Sequence, residues 1–347
     1  MDYASRLVAW YEINKREMPW RNTKDPYCIW VSEVMLQQTQ VETVIPYYNR
    51  FIMKFPTISA LAQAHKEEVY KYWEGLGYYR RVDYLHNGAK MIVNDYDGLF
   101  PNSMSEIKKI PGIGSYTLGA IMSIAFDKPM PAVDGNVMRI LSRQFLIEED
   151  ISKVKSKKIF ENKVMTLMNH NPSSFNQALM ELGALICTPK NSKCMVCPIQ
   201  NMCMGYKENR VYEFPIKEKK NVVDKEYYIV PVIKSKSSYW FEQRATDVLL
   251  GNLWGFPMIS KTQWEKNYAI KIKTLKLPTV SHRFTHKIWE IYPLIITSND
   301  INTEYFNKIT HNHQSISGAF MTLDEIHHIP IATAFKKIIK LLIKSTE

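Results

Sequence analysis

Apolar residues recur at helical spacing through the first half of the chain and at strand spacing in its last third. In ASRLVAWYEINK the apolar positions Leu7, Val8 and Tyr11 share one helical face. The stretch from Ile29 to Phe55 reads as a long helical region, with Pro46 as the expected break or second start, because proline removes a helix donor. Further helices are predicted over 67–74, 79–95, 103–109, 114–126, 135–146, 152–168 and 173–187. Strand signals are sparse in this region, which is therefore predicted to be all-α. The texture changes after Cys203. Residues 205–226 (GYKENRVYEFPIKEKKNVVDKE) are charge-rich and read as a linker. Beyond them YYIVPVI (227–233), SYWFEQ (238–243) and KIWEIYPLII (287–296) carry strand character, and 332–344 returns to helical spacing. The expected organisation is a helical domain over 1–205 with a cysteine loop at 187–203, a linker over 206–226, and an α+β domain over 227–347.

A length of 347 residues accommodates two ordinary domains, and 46% hydrophobic content argues against disorder. The net charge of +11 favours a polyanion partner, because lysine and arginine release counterions from phosphates, although a basic surface also serves solubility alone. No run approaches the roughly 20 apolar residues of a membrane span. The opening MDYASRLVAWYEINKRE holds acidic residues and no unbroken apolar stretch, so it is not read as a signal peptide. The expected setting is the cytoplasm, where cysteines stay reduced.

Against that background Cys187, Cys194, Cys197 and Cys203 stand out, spaced C-x6-C-x2-C-x5-C. Four thiolates so close in sequence suit a soft metal centre, either a 4Fe–4S cluster or structural zinc. Zinc ligands usually come as two C-x2-C pairs, and only Cys194 and Cys197 form one. Cys28 stands apart and reads as a core residue. A second signal is IPGIGSYTLG, Ile110 to Gly119. Gly112 and Gly114 permit positive φ and close backbone approach, and the helix starting near Gly114 exposes N–H groups able to bind a phosphate. Such a turn can also simply join two helices. Asp134, 20 residues beyond Gly114 in AVDGN, opens another helix.

The hairpin, the aspartate 20 residues on and the cysteine spacing together resemble the endonuclease III-like DNA glycosylase superfamily. Within it, SEVMLQQTQ (Ser32 to Gln40), GLGYY (Gly75 to Tyr79) and VDGNV (Val133 to Val137) resemble the MutY-type adenine glycosylases. The likeness is dense over roughly 15–205 and looser beyond. It implies a helix-hairpin-helix core with one 4Fe–4S cluster on the four cysteines, and a partner that is double-stranded DNA bearing adenine opposite 8-oxoguanine or guanine. The enzyme is expected to be monomeric, with no membrane association. LGNLWGFP, Leu250 to Pro257, resembles the LLxGLWxFP segment of the family's Nudix-like domain. No Nudix box of the G-x5-E-x7-R-E-x2-E-E type occurs in 225–347, so no pyrophosphatase activity is expected.

Hydrolysis of an N-glycosidic bond needs a proton donor for the leaving base and an anion for the oxocarbenium ion, and two carboxyl groups suffice. Glu33, among Val31, Val34, Met35 and Leu36, is expected to be partly buried with a raised pKa and to protonate adenine N7. Asp134 is expected to stay ionised at a helix N-terminus and to stabilise the sugar cation, a role compatible with N-capping. By resemblance Tyr116 and Asn136 position Asp134 and the water. The same resemblance implies that Trp20, Arg21, Leu36 and Gln177 line the adenine pocket, with some relatives carrying Glu at the Gln177 position. Gln38, Thr39, Leu76 and Tyr78 handle the opposite base and wedge the duplex, and Gly112 and Gly114 meet the DNA backbone. Phe284, Thr285 and His286 occupy the place of the family's Phe-Ser-His loop, which contacts 8-oxoguanine; Thr285 keeps the hydroxyl and adds a methyl. Bifunctional members carry lysine two residues after the second hairpin glycine, where this chain has Tyr116, so imine chemistry has no agent and a monofunctional enzyme is expected. The alternatives are a pyrimidine-specific glycosylase with lyase activity on the same fold, a non-catalytic iron–sulfur DNA-binding or electron-transfer protein, and a Nudix hydrolase.

Overall fold

The computed structural model describes residues 1–347 apart from 169–170, 219–222, 270–271, 285, 311–314 and 345–347. The helices run α1 Tyr3–Asn14, α2 Pro26–Leu36, α3 Val41–Lys54, α4 Ile58–Gln63, α5 Lys66–Trp73, α6 Arg80–Asp95, α7 Met104–Ile107, α8 Ser115–Ile124, α9 Gly135–Phe145, α10 Val154–Leu167, α11 Pro172–Leu185 and α12 Met204–Lys207. The strands are β1 Asp224–Ser235, β2 Ser238–Arg244, β3 Trp254–Gly255, β4 Ile259–Ser260, β5 Leu275–Lys276, β6 Val280–Arg283, β7 Lys287–Thr297 and β8 Ser315–Met321, with helices α13 Lys261–Asn267, α14 Thr303–Thr310 and α15 Thr333–Lys344. The chain forms two compact units, 1–63 with 80–219 and 64–79 with 220–347.

The first unit is helical. One of its cores gathers Leu7 and Tyr11 of α1, Val137 and Ile140 of α9, Phe160 of α10, and Phe175, Leu179 and Leu182 of α11, with Cys187 and Cys197 packed against its edge. Helices α2 and α8 are apolar nearly all round, as expected of helices buried on every side. The helical region expected over Ile29 to Phe55, with its break or second start at Pro46, is two helices, α2 and α3. The break falls at 37–40, where Gln38 takes φ 60°, and Pro46 sits inside α3, which continues through it to Lys54. The charge-rich stretch at 206–226 is not a free linker throughout. Val211 and Phe214 are buried, and Ile151 N–H donates to the Ile216 carbonyl, which ties this stretch to the first unit up to 218. β1 already begins at Asp224.

The second unit holds a mixed sheet ordered β3-β2-β1-β7-β5, with β4 on β1, β6 on β7 and β8 on β2 among the described residues. β1 and β7 pair in parallel from Asp224 with Lys287 to Lys234 with Thr297, and the other pairs of strands are antiparallel. Apolar residues on alternate positions feed both faces. Ile229, Ile233, Leu294 and Ile296 pack with Trp264 of α13 and Ile309 of α14, while Phe241 packs on Phe256, which meets Phe335 of α15. Helix α5 belongs to this unit: Tyr70 hydroxyl accepts from Asn252 Nδ2 (3.3 Å), and Glu74 Oε1 accepts from Ile331 N–H (2.7 Å).

Candidate active site and cysteine cavity

Helix α2 places Glu33. Asp25 caps it by accepting from Tyr27 N–H at 2.8 Å, Pro26 occupies its first turn, and Ile29 to Met35 are all buried. Glu33 is only 4% exposed, and its Oε2 makes no hydrogen bond. Burial pushes its carboxyl up to about 7; the hydrogen bond of Tyr116 pulls the other way, the charge of Asp134 adds to the rise, and Arg21 opposes it. Tyr116, on the first turn of α8, is held well above the ordinary tyrosine range by desolvation and then by Glu33 and Asp134. Three elements, α2, α8 and the start of α9, thus bring Glu33, Tyr116 and Asp134 together.

Asp134 is the N-cap of α9. Its Oδ1 accepts from Val137 N–H (2.8 Å) and its Oδ2 from Asn136 Nδ2 (2.8 Å), so capping and the candidate role coexist. Asn136 Oδ1 in turn accepts from Arg139 Nη1 (2.9 Å), whose Nε donates to the Cys187 carbonyl (2.9 Å). One helix therefore connects the carboxylate to the cysteine loop through hydrogen bonds.

Trp20 is buried edge-on against Tyr48, 5.2 Å between ring centroids. Arg21 lies over the Tyr11 ring (5.3 Å) and donates to Glu181 Oε2 (2.7 Å). Gln177 Oε1 accepts from the Tyr11 hydroxyl (3.0 Å), and Leu36 lies three residues beyond Glu33 on α2. Sequence reasoning missed Glu181, which is 1% exposed and gathers Arg16 Nε (2.8 Å) as well as Arg21. Burial alone would raise its pKa, but the two guanidinium groups hold it below the ordinary range. The available signal was a lone glutamate in the apolar run ALMELGAL, the same signal that exposed Glu33.

In the hairpin, Gly112 takes φ +79° as expected, whereas Gly114 is the extended N-cap of α8 at φ −87° and requires no left-handed freedom. Gln38 is exposed at φ 60°, and Thr39 Oγ1 accepts from Arg81 Nη2 (3.3 Å). Leu76 and Tyr78 belong to the second unit. Leu76 is buried, and Tyr78 is 49% exposed at φ 49° in a turn where Trp73 Nε1 donates to the Gly77 carbonyl (3.2 Å). Phe284 packs edge-on against Trp289 (4.7 Å), its N–H donating to the Lys287 carbonyl, and His286 is exposed. Thr285 lies outside the described residues.

Cys187, Cys194, Cys197 and Cys203 line one cavity together with Arg143, Gln144 and Tyr206. Arg143 donates to the Cys187 sulfur (3.5 Å), the Thr188 carbonyl (2.7 Å) and the Pro189 carbonyl (3.0 Å). Among the described residues no three His, Cys, Asp or Glu side chains are placed to hold a single metal ion. Four thiols lining one cavity are a donor set that fits a soft metal centre such as a 4Fe–4S cluster.

The fold and this site define a base-excision DNA glycosylase built on a helix-hairpin-helix. Residues 31–166 match the model of the HhH-GPD superfamily base excision DNA repair proteins, and 229–341 match that of the NUDIX domain. An adenine DNA glycosylase of Buchnera aphidicola subsp. Schizaphis graminum is 36% identical over 98% of both chains. The Homo sapiens adenine DNA glycosylase is 30% identical over 98% of this chain and 73% of its own. The chain belongs to the adenine DNA glycosylase family and is a DNA N-glycosylase. Among solved structures, a thermostable thymine-DNA glycosylase superposes with TM-score 0.55 at 30% identity, covering 59% of this chain and 95% of its own. A non-covalent endonuclease III–DNA complex shares the fold, with TM-score 0.51 at 21% identity, over 59% of this chain and 94% of its own. Among the described residues no helix is long and apolar enough to cross a membrane.

Proposed function

We propose that this enzyme hydrolyses the N-glycosidic bond of adenine paired with 8-oxoguanine, and more slowly with guanine, in double-stranded DNA, leaving an abasic site in an intact strand. The observation that carries the reading is a buried glutamic acid with a free carboxyl oxygen and a pKa of about 7, grouped with Tyr116 and Asp134. The adenine names of its relatives support the same choice of base.

The target nucleotide leaves the stack to reach this buried group. Glu33 donates its proton to adenine N7, the C1′–N9 bond breaks, and its electron pair departs with the neutral base. The Asp134 carboxylate, oriented by Asn136 and Tyr116, stabilises the sugar cation. Water then adds to C1′ and its proton returns to the Glu33 carboxylate. Trp20, Arg21, Leu36 and Gln177 hold the adenine; Gln38, Thr39, Leu76 and Tyr78 meet the opposite base and the gap in the stack. Phe284, Thr285 and His286 read 8-oxoguanine. Tyr116 offers no amine, so no imine forms with C1′. A 4Fe–4S cluster would be held by Cys187, Cys194, Cys197 and Cys203; it supplies a structural or DNA-linked redox element rather than a proton. The enzyme acts as a monomer.

The test uses a labelled duplex with one adenine opposite 8-oxoguanine. Strand scission should appear only after alkali, and more slowly with guanine opposite. Scission without alkali overturns the monofunctional reading, and an intact adenine overturns the substrate.

A further inference from the structure

Helix α2 ends abruptly after Leu36, and a helix cannot satisfy its own last carbonyls. One side chain from the first turn of α6 takes two of them, while the Leu36 carbonyl accepts from Thr39 N–H (3.2 Å). Arg81 Nη1 donates to the carbonyls of Val34 (2.8 Å), Met35 (2.9 Å) and Gln37 (2.5 Å), and Nη2 donates to Thr39 Oγ1 (3.3 Å). Arg81 is only 8% exposed, so these charged bonds form in a desolvated setting where they are strong. The turn has no glycine to take its left-handed position. Gln38 occupies that position at φ 60°, with Gln37 and Thr39 pinned on either side and its own side chain exposed.

We propose that Arg81 is a positioning residue for opposite-base recognition: its guanidinium clamps Gln37 and Thr39 so that Gln38 and Thr39 are presented to the base across from the target. This rests on the reading above in which those two residues meet the opposite base. The clamp needs a planar fork with several donors, which lysine lacks. Glu33 owes its raised pKa first to burial on α2, and the other groups acting on it are Tyr116, Asp134 and Arg21, so the clamp acts on recognition rather than on proton donation.

The test compares Arg81→Met and Arg81→Lys in the full-length, cluster-loaded protein. The probes are a duplex with uncleavable 2′-fluoro-deoxyadenosine opposite 8-oxoguanine and a fully matched duplex. The ratio of the two affinities should fall roughly tenfold in Arg81→Met, the scale of one buried charge-assisted bond, and less in Arg81→Lys. Matched-duplex affinity should stay within about twofold, and the pH midpoint of single-turnover base release should not move. A shifted midpoint, or equal loss on both duplexes, overturns the proposal. Gln38→Ala separates the two layers of the argument. If it leaves the ratio intact, the assignment of the turn to the opposite base falls and Arg81 with it. If it lowers the ratio while both Arg81 variants do not, Arg81 alone is wrong. Should Arg81→Met fail to fold, Arg81→Lys decides.

Discussion

In the proposed reaction Glu33 acts in its protonated form, and burial raises its pKa to about 7. The kcat/KM for base release should therefore fall as pH rises through about 7, and Glu33→Gln should lower it by on the order of 10² to 10⁴ at pH 6 while DNA binding persists. The same shift has a stability consequence of determinate sign. The folded protein keeps a proton that the unfolded chain, with an ordinary value near 4.5, releases. That contribution is complete below the unfolded value and is lost as pH rises through the folded one. Melting of Glu33→Gln compared with the unsubstituted chain should show a Tm advantage for the variant that grows between pH 5 and 8. This residue was legible because its segment is otherwise apolar apart from Ser32. Arg81 and Glu181 were not, since a buried charge looks like any other charge until its partners, Gln37 and Thr39 in one case and Arg16 and Arg21 in the other, are brought in from distant sequence.

The hairpin glycines differ in what they require, and substitution should separate them. At Gly112 the φ of +79° is joined by a clash, because an added Cβ would sit 2.7 Å from Tyr84 Cβ. Gly112→Ala should cost roughly 1–3 kcal/mol of stability and weaken DNA binding. At Gly114 an added Cβ meets nothing within 4 Å and φ is ordinary. Gly114→Ala should melt like the parent, with any loss confined to DNA affinity measured on the same duplex; an equal fall in Tm would show that both glycines are structural. Local sequence made most helices legible, because their apolar stripes are set by period alone. It placed the break in 29–55 at Pro46, although α2 ends at Leu36, where a guanidinium from α6 and the Thr39 N–H take its last carbonyls. Turn geometry set by tertiary hydrogen bonds has no local signature.

For the whole molecule, the cysteine cavity sits against the core that α1, α9 and α11 share, so whatever fills it braces α9 from the end opposite Asp134. Replacing Cys197 with Ser should remove iron by elemental analysis and the visible absorbance with it, and should lower the Tm; zinc in place of iron in the parent would refute the cluster. The spacing of the cysteines made this cavity legible, whereas Arg143, which binds the loop at several points, carried no signal. Nor did the sequence hint that residues 64–79 fold with the C-terminal unit. Tyr70, Lys71 and Glu74 find partners at Asn252, Ile329 and Ile331, about 180 to 260 positions away. A gene cut in the linker therefore would not yield two self-sufficient polypeptides. The later piece would lack α5 and the turn bearing Tyr78, and the earlier one would keep them with their hydrogen-bonding partners removed.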